Sequence, residues 1–435
     1  MRLIRLLKND LAREAAEWVN EEVITLSQAE AICERYGADF SQANSRSLGY
    51  NILVALGFLF IGLAIITLLG ANWDEIPRSL RMGGLIGLTL CTQAFAVQQF
   101  VQGHQGKAVG IFLLGNLFFG ASIILIAQIY HLGEHMPDGV FWWALGCLPL
   151  AILTKEPLLA LQANVLAIVW YYLEVSLQYY PLLFPIFILG SLYVLYRGRE
   201  SILLVLFAVA SIGLWLECTL AEVWGSTRSL DITPEHVGVT AAAFILLYTF
   251  SNWLNRMRSP VARDYGAVLA LWSLRFGLVF MVVLSFEEPW KSLIRADWDH
   301  RISMFAIVGS LVAGSVYLAH LSSRLRSVIY ILPFFVVSLV TVVSVDNDVH
   351  AVLFQVVFNL ALIATGVMLI IKGIHSGVSH YFFLGIATIL LVALMRYIDL
   401  IGDYVGGAIL FMVCAALLLG AARYWKAYLA RGEIA

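Results

Sequence analysis

One arginine lies deep inside an otherwise apolar run. Arg275 sits ten residues into the stretch 265–286. A charge that far into a bilayer-length segment costs a few kcal/mol or more, so it ordinarily faces a polar partner or a wet cavity. It reads as too deep to snorkel easily. The nearest acid in sequence, Asp264, is about three helical turns away, on the order of 16 Å. Partners are therefore sought on other segments: Glu174, Gln162, Gln355, Asn359, Asn116, or the carbonyls of a broken helix. An arginine so placed suits an anion or headgroup contact or half of a gating ion pair, and equally an interhelical network.

A second set of reactive side chains gathers between apolar runs. Asn72, Trp73, Asp74 and Glu75 form the first such break. Gln128, Tyr130, His131, Glu134, His135 and Asp138 close the third apolar run, and Arg396, Asp399, Asp403 and Tyr404 lie between the last two. Two further breaks hold Asp297, Asp299 and His300, and Asp346, Asp348 and His350. Oxygen-rich groups of this kind suit Mg²⁺, Mn²⁺ or Ca²⁺. Their spacing is unspecific and isolated Asp-x-Asp pairs are usually solvated loops, so no cofactor or metal ligand is identified, and a divalent cation at these outer-face carboxylates is the alternative. His131-Leu132-Gly133-Glu134-His135 has the H-x-x-E-H form of a zinc protease, but that chemistry needs both histidines on one helical face. Gly133 and the following Met136-Pro137 break such a helix, so no protease is expected. The sequence has no Gly-rich phosphate loop with Lys and no serine elbow. The candidate binding residues are Arg275, Asn72, Trp73, Asp74, Glu75, Gln128, His131, Arg396, Asp399 and Asp403; no catalytic residue is identified.

The elements that must carry these residues are membrane helices. Of 435 residues, 61% are hydrophobic and 13% charged, against roughly 45–50% and about 25% in soluble domains. Fourteen apolar segments recur, approximately 50–70, 80–101, 108–130, 139–154, 157–174, 180–196, 201–220, 237–254, 264–286, 302–320, 327–345, 350–371, 379–398 and 405–423. Most have the ~20 residues a helix needs to cross hydrocarbon. The fourth and fifth are short and could form a half-depth pair, with Pro149 in the fourth. The expected fold is an all-α polytopic bundle over residues 49–424, divisible as seven plus seven at 49–223 and 236–424, with a short tail at 425–435. An odd number per half would demand inverted topology.

Charge gives the bundle a direction. With the N-terminus inside, 19 of 27 Lys and Arg fall on inner segments and 7 on outer ones, Arg275 being mid-span; that bias orients both termini toward the cytoplasm. Seventeen of 29 acids fall outside, a surface that concentrates cations. The net charge of −2 excludes a basic nucleic-acid binder. The five cysteines show no paired spacing, so neither a disulfide framework nor a zinc cluster is indicated. Residues 1–48 read as a cytoplasmic helical hairpin: Ile4, Leu7, Leu11, Ala15 and Trp18 form one stripe, Ser27 to Glu30 has the form of a capping box, and Gly37 follows Tyr36 as a stop. No cleavable signal is read there, so the first span is expected to direct insertion. The hairpin could cap the bundle, dock a cytoplasmic protein, or lie on lipid.

The order of features is similar to that of a bacterial inner-membrane family known mainly as a domain of unknown function. The residues that carry the resemblance are Leu26-Ser27-Gln28-Ala29-Glu30-Ala31-Ile32 with Tyr36-Gly37, then Ala71-Asn72-Trp73-Asp74-Glu75-Ile76-Pro77, then Ala127-Gln128-Ile129-Tyr130-His131. It covers about residues 10–155. The resemblance implies the bacterial cytoplasmic membrane and supplies no substrate. Span number, Arg275 and polar residues inside spans (Gln93, Asn116, Gln162, Asn164, Asn359) point to transport or flipping of a small solute or lipid-linked envelope precursor. The alternatives are a transferase on a lipid-linked substrate using Asp74 and Glu75 at the outer face, and a scaffold or sensor acting through the hairpin. Oligomeric state is not legible.

Overall fold

In a bilayer every backbone amide must find its partner within the protein, and a helix does this locally. The computed structural model answers that demand. It describes residues 5–36, 40, 48–71, 77–130, 135–225, 233–325, 328–345, 347–376 and 379–399, with isolated positions between 412 and 420. All regular structure among the described residues is helical. The elements are α1 (Arg5–Asn20), α2 (Leu26–Tyr36), α3 (Leu48–Ala71), α4 (Arg78–Val101), α5 (Gln105–Tyr130), α6 (Pro137–Thr154), α7 (Pro157–Ser176), α8 (Pro185–Arg197), α9 (Ile202–Trp224) and α10 (Glu235–Leu254). There follow α11 (Pro260–Val283), α12 (Glu287–Arg295), α13 (Arg301–Leu321), α14 (Ile331–Ser344), a 3-10 turn (Asp348–His350), α15 (Ala351–Ser376) and α16 (Ser379–Asp399).

Thirteen of the fourteen expected apolar segments coincide with helices; the last, 405–423, lies outside the continuous described residues. Ten described helices are long and apolar enough to cross a membrane. The pair expected to be short, α6 and α7, has 18 and 20 residues and is among them. Pro149 is accommodated inside α6. The short apolar helices are α8 and α14, with 13 and 14 residues, or about 20 Å of axial rise.

Sequence punctuation sets several ends. Pro137, Pro157 and Pro185 start α6, α7 and α8 at the position where a missing N–H costs nothing. Lys155 closes α6 in the left-handed region at φ 55°, and the carbonyl it presents lies where a Cβ on Gly198 would be, so the α6–α7 turn packs directly on the end of α8. The N-terminal cap differs from expectation. α2 begins at Leu26, and its box is Thr25 with Gln28: the Thr25 N–H donates to Gln28 Oε1 at 2.9 Å and the Gln28 N–H to Thr25 Oγ1 at 3.4 Å. Thr25 sits just ahead of the apolar Leu26, so the earlier of two overlapping boxes captures the helix start. Ala12, Ala15, Ala29 and Cys33 then form the core of the α1–α2 pair.

The chain divides into two compact units, one of Met1–Ile232 with Met257–Tyr265, the other of Thr233–Arg256 with Gly266–Ala435. In the first, α4 pairs with α5, α6 with α7, and α7 also meets α8 and α9. Its aromatic core joins Phe141, Trp170, Tyr171, Phe184 and Phe187. In the second, α10 pairs with α13 and α15 with α16, while Leu278 of α11 joins Leu362, Leu369 and Val392. A Cβ on Gly366 would lie 3.2 Å from the Gly385 carbonyl oxygen; the α15–α16 crossing is a contact of backbone on backbone, as small residues permit in membranes. α12 was not anticipated. It is short and charged, but Trp290 anchors it, stacked 4.6 Å from Phe354 and donating Nε1–H to the Leu284 carbonyl at 2.6 Å.

Candidate functional site

The antiparallel packing of α6 on α7 brings the start of one beside the end of the other. Glu174 lies in the last turn of α7 and is 7% exposed. A carboxylate there opposes the negative end of the helix dipole, so it needs cationic company. Trp170, one turn earlier, donates Nε1–H to Oε1 at 2.9 Å. His135, just before α6, holds Oε2 through Nε2 at 2.9 Å. The Tyr179 ring sets its edge or face to the imidazole at 4.8 Å and 76°. Asp138, exposed in the first turn of α6, completes a group in which one ligand atom each from His135, Asp138 and Glu174 lie within 4.8 Å of one another.

One imidazole nitrogen and two carboxylates suit a proton shared between His135 and Glu174, or a cation of the Zn²⁺ or Mn²⁺ type. Both Glu174 oxygens already meet donors, so a metal would take the place of the His135 proton. His135 and Glu174, 39 positions apart in the chain, meet here only through the packing of α6 on α7.

Behind this group, α7 carries a polar ladder through the unit. Gln93 Nε2 donates to Asn116 Oδ1 at 3.0 Å, and Asn116 Nδ2 to Gln162 Oε1 at 2.8 Å. Trp143 Nε1 donates to the Asn116 carbonyl at 2.8 Å. Fully buried Asn164 donates to Ser191 Oγ at 3.1 Å and accepts from Ser211 Oγ at 3.0 Å. Four of the five in-span amides singled out in the sequence, all but Asn359, therefore link α4, α5, α7, α8 and α9. At the opposite end of α7, Glu156 is buried; desolvation raises its carboxyl above the usual range, partly opposed by Arg199.

The anticipated residues fare differently. Asn72, Trp73, Asp74, Glu75, His131 and Asp403, and the Asp399 side chain, lie outside the described residues. The outer-loop acids of the transferase alternative are among them. Gln128 is exposed in the last turn of α5. Arg396, in the last turn of α16, stacks 4.9 Å over the Phe286 ring. Arg275 is exposed, its guanidinium 5.2 Å from the ring of Trp272 one turn back, and it acts electrostatically on His380 in the first turn of α16. Helical side chains lean toward their own N-terminus, and this one lies that way along Trp272. Arg396 stands 16 residues beyond His380 on α16, about 24 Å along its axis. Of the partners proposed for Arg275, Glu174 bonds His135 and Trp170, Asn116 and Gln162 bond each other, and Asn359 donates to the Ser285 and Gln355 carbonyls.

One buried acid was not singled out. Glu235, fully buried at the start of α10, accepts the His300 N–H at 2.8 Å, while its Oε2 has no hydrogen-bond partner among the described residues. It caps the N-terminus of α13 from another helix, which sequence spacing cannot show.

No curated protein and no solved structure matches the chain. Residues 16–160, which hold the end of α1, α2, the first spans and the His135 and Asp138 positions, are similar to the family model described as Predicted membrane protein (DUF2157), and with ten described helices long and apolar enough to cross a membrane the chain is a multi-span membrane protein.

Proposed function

We propose that this chain moves a small solute or a lipid-linked envelope precursor across the bacterial cytoplasmic membrane, with both termini inside. Glu174, with His135 and Asp138, is its cation-dependent control point, loaded by a proton or a divalent ion. The observation that carries this reading is the buried Glu174 carboxylate at the end of a helix whose amides bond three neighbouring helices, α5, α8 and α9. An ionisable group in such a position is costly to keep and marks ion or substrate pathways in membrane proteins. Loading or unloading a charge there changes the forces on both the α6 and α7 ends.

The full-length protein in proteoliposomes tests it. Dithionite quenching of a fluorescent lipid reports flipping, and counterflow of labelled sugars, amino acids and nucleotides reports solute movement. Flux of one class above the protein-free rate supports the proposal; protein-free rates for every class count against it. The helical pair supports a second reading, a docking site for a cytoplasmic protein, because Val23 and Leu26 are 67% and 55% exposed beside its core. Deleting residues 1–40 abolishes function under that reading and spares flux under the first.

A further inference from the structure

A group of cations converges where α15 ends and α16 begins. Lys372 Nζ lies 4.1 Å above the Tyr381 ring, and the His380 ring is 4.2 Å from that same ring. Arg324, just past α13, donates Nη1–H to Asn252 Oδ1 at 2.6 Å and lies in electrostatic reach of Lys372 and Tyr381. Arg275 and Lys372 both act on His380. Among the described residues, the charged groups acting on Lys372 and on His380 are all basic. Arg275, Arg324, Lys372 and His380 are each exposed.

Like charges held together repel, and an anion among them turns repulsion into attraction. Two guanidinium groups and an ammonium fit phosphate oxygens, the arginines as forked donors. The surroundings decide the source of the phosphate. From Arg275 the surface continues along α11 as Trp272, Phe276 and Val279, exposed by 37%, 52% and 60%. Met368, one turn before Lys372 on α15, and Phe383, in the first turns of α16, are exposed by 59% and 65%. A charged end beneath an apolar wall matches an amphiphile with a headgroup and acyl chains, and the aromatic rings occupy the interfacial level that Trp and Tyr favour. We propose that Arg275, Arg324, Lys372 and His380 hold the phosphate of one anionic lipid, whose chains lie along the exposed faces of α11 and α15. Basic pockets between helices at the cytoplasmic side recognise headgroups in this way. The site is independent of Glu174 and of the solute moved.

The test uses the full-length protein, equilibrated in mixed micelles holding equal amounts of phosphatidylglycerol and phosphatidylethanolamine, with retained lipid read by native mass spectrometry. The wild type should retain phosphatidylglycerol preferentially, and millimolar inorganic phosphate should leave it bound. The double variant Arg324→Gln with Lys372→Gln should lose about tenfold of that retention. Lys372→Arg, which keeps the charge, should hold it. Arg197→Gln, which removes a cation 5.3 Å over Tyr196 in the first unit, should leave it unchanged. Equal retention of both lipids, or equal loss from Arg197→Gln and the double variant, overturns the site. Displacement by inorganic phosphate overturns the lipid as its source.

Discussion

Glu174 shows what one side chain contributes and what its sequence conceals. Its carboxylate satisfies the Trp170 indole and the His135 ring at once. Removing it by Glu174→Ala strands a buried donor, and should lower stability by about 2–3 kcal/mol, read as a drop in melting temperature in detergent. Glu174→Gln, which keeps an acceptor oxygen, should lose less. Glu156 makes a pH prediction. Its folded-state pKa is raised from 4.5 by burial, so folding favours its protonated form. The stability this brings is present below pH 4.5 and is lost as pH rises through the higher folded value. Glu156→Gln should therefore melt above the wild type at pH 7 and level with it at pH 4. A gap that widens toward low pH would refute the assignment. Arg275 was conspicuous in the sequence because charge in an apolar run is rare. Its exposure was hidden because a linear sequence gives depth along one helix and not the direction in which a long side chain leans.

Helices α3 to α11 and α13 to α16 were legible because hydrocarbon demands long, unbroken apolar runs. α12 was not. Nine residues with Glu287, Glu288, Lys291 and Arg295 on one side look like a polar loop until Trp290 is seen stacked on Phe354. Nor does sequence tell one glycine from another. Gly213 in α9 has nothing within 4 Å of a built Cβ, whereas a Cβ on Gly385 would lie 2.8 Å from an Ile370 side-chain carbon and 2.9 Å from the Ile370 nitrogen. Gly213→Ala should stabilise, by up to about 1 kcal/mol from helix propensity. Gly385→Ala should destabilise by about 1–3 kcal/mol as α15 and α16 are pushed apart. Thermal melts of the two variants in the same detergent check this; a rise in both would mean the α15–α16 crossing is looser than described.

For the molecule as a whole, composition established the membrane and the helical class before any contact was known. Polar pairing was less accessible: His135 meets Glu174, and Gln162 meets Asn116, across tens of residues, joined by packing that no periodicity encodes. The proposed sidedness rests on the distribution of Lys and Arg, and it is open to direct trial. In a background with its native cysteines replaced, single cysteines at Gln105, Ser201 and Ser259 should react with an impermeant maleimide only in inside-out vesicles. Cysteines at Met136, Gln178 and Asp297 should react only in right-side-out ones. The reverse pattern would invert the topology and put the Glu174 end in the cytoplasm.

The flux of Glu174→Gln against wild type in proteoliposomes bears most directly on the proposed role of this carboxylate. Paired with a folded-state control by melting, the variant should fall to the protein-free rate for whichever solute or lipid the wild type moves. Unchanged flux in a folded variant would show that the buried His135–Glu174 pair is only a structural bond.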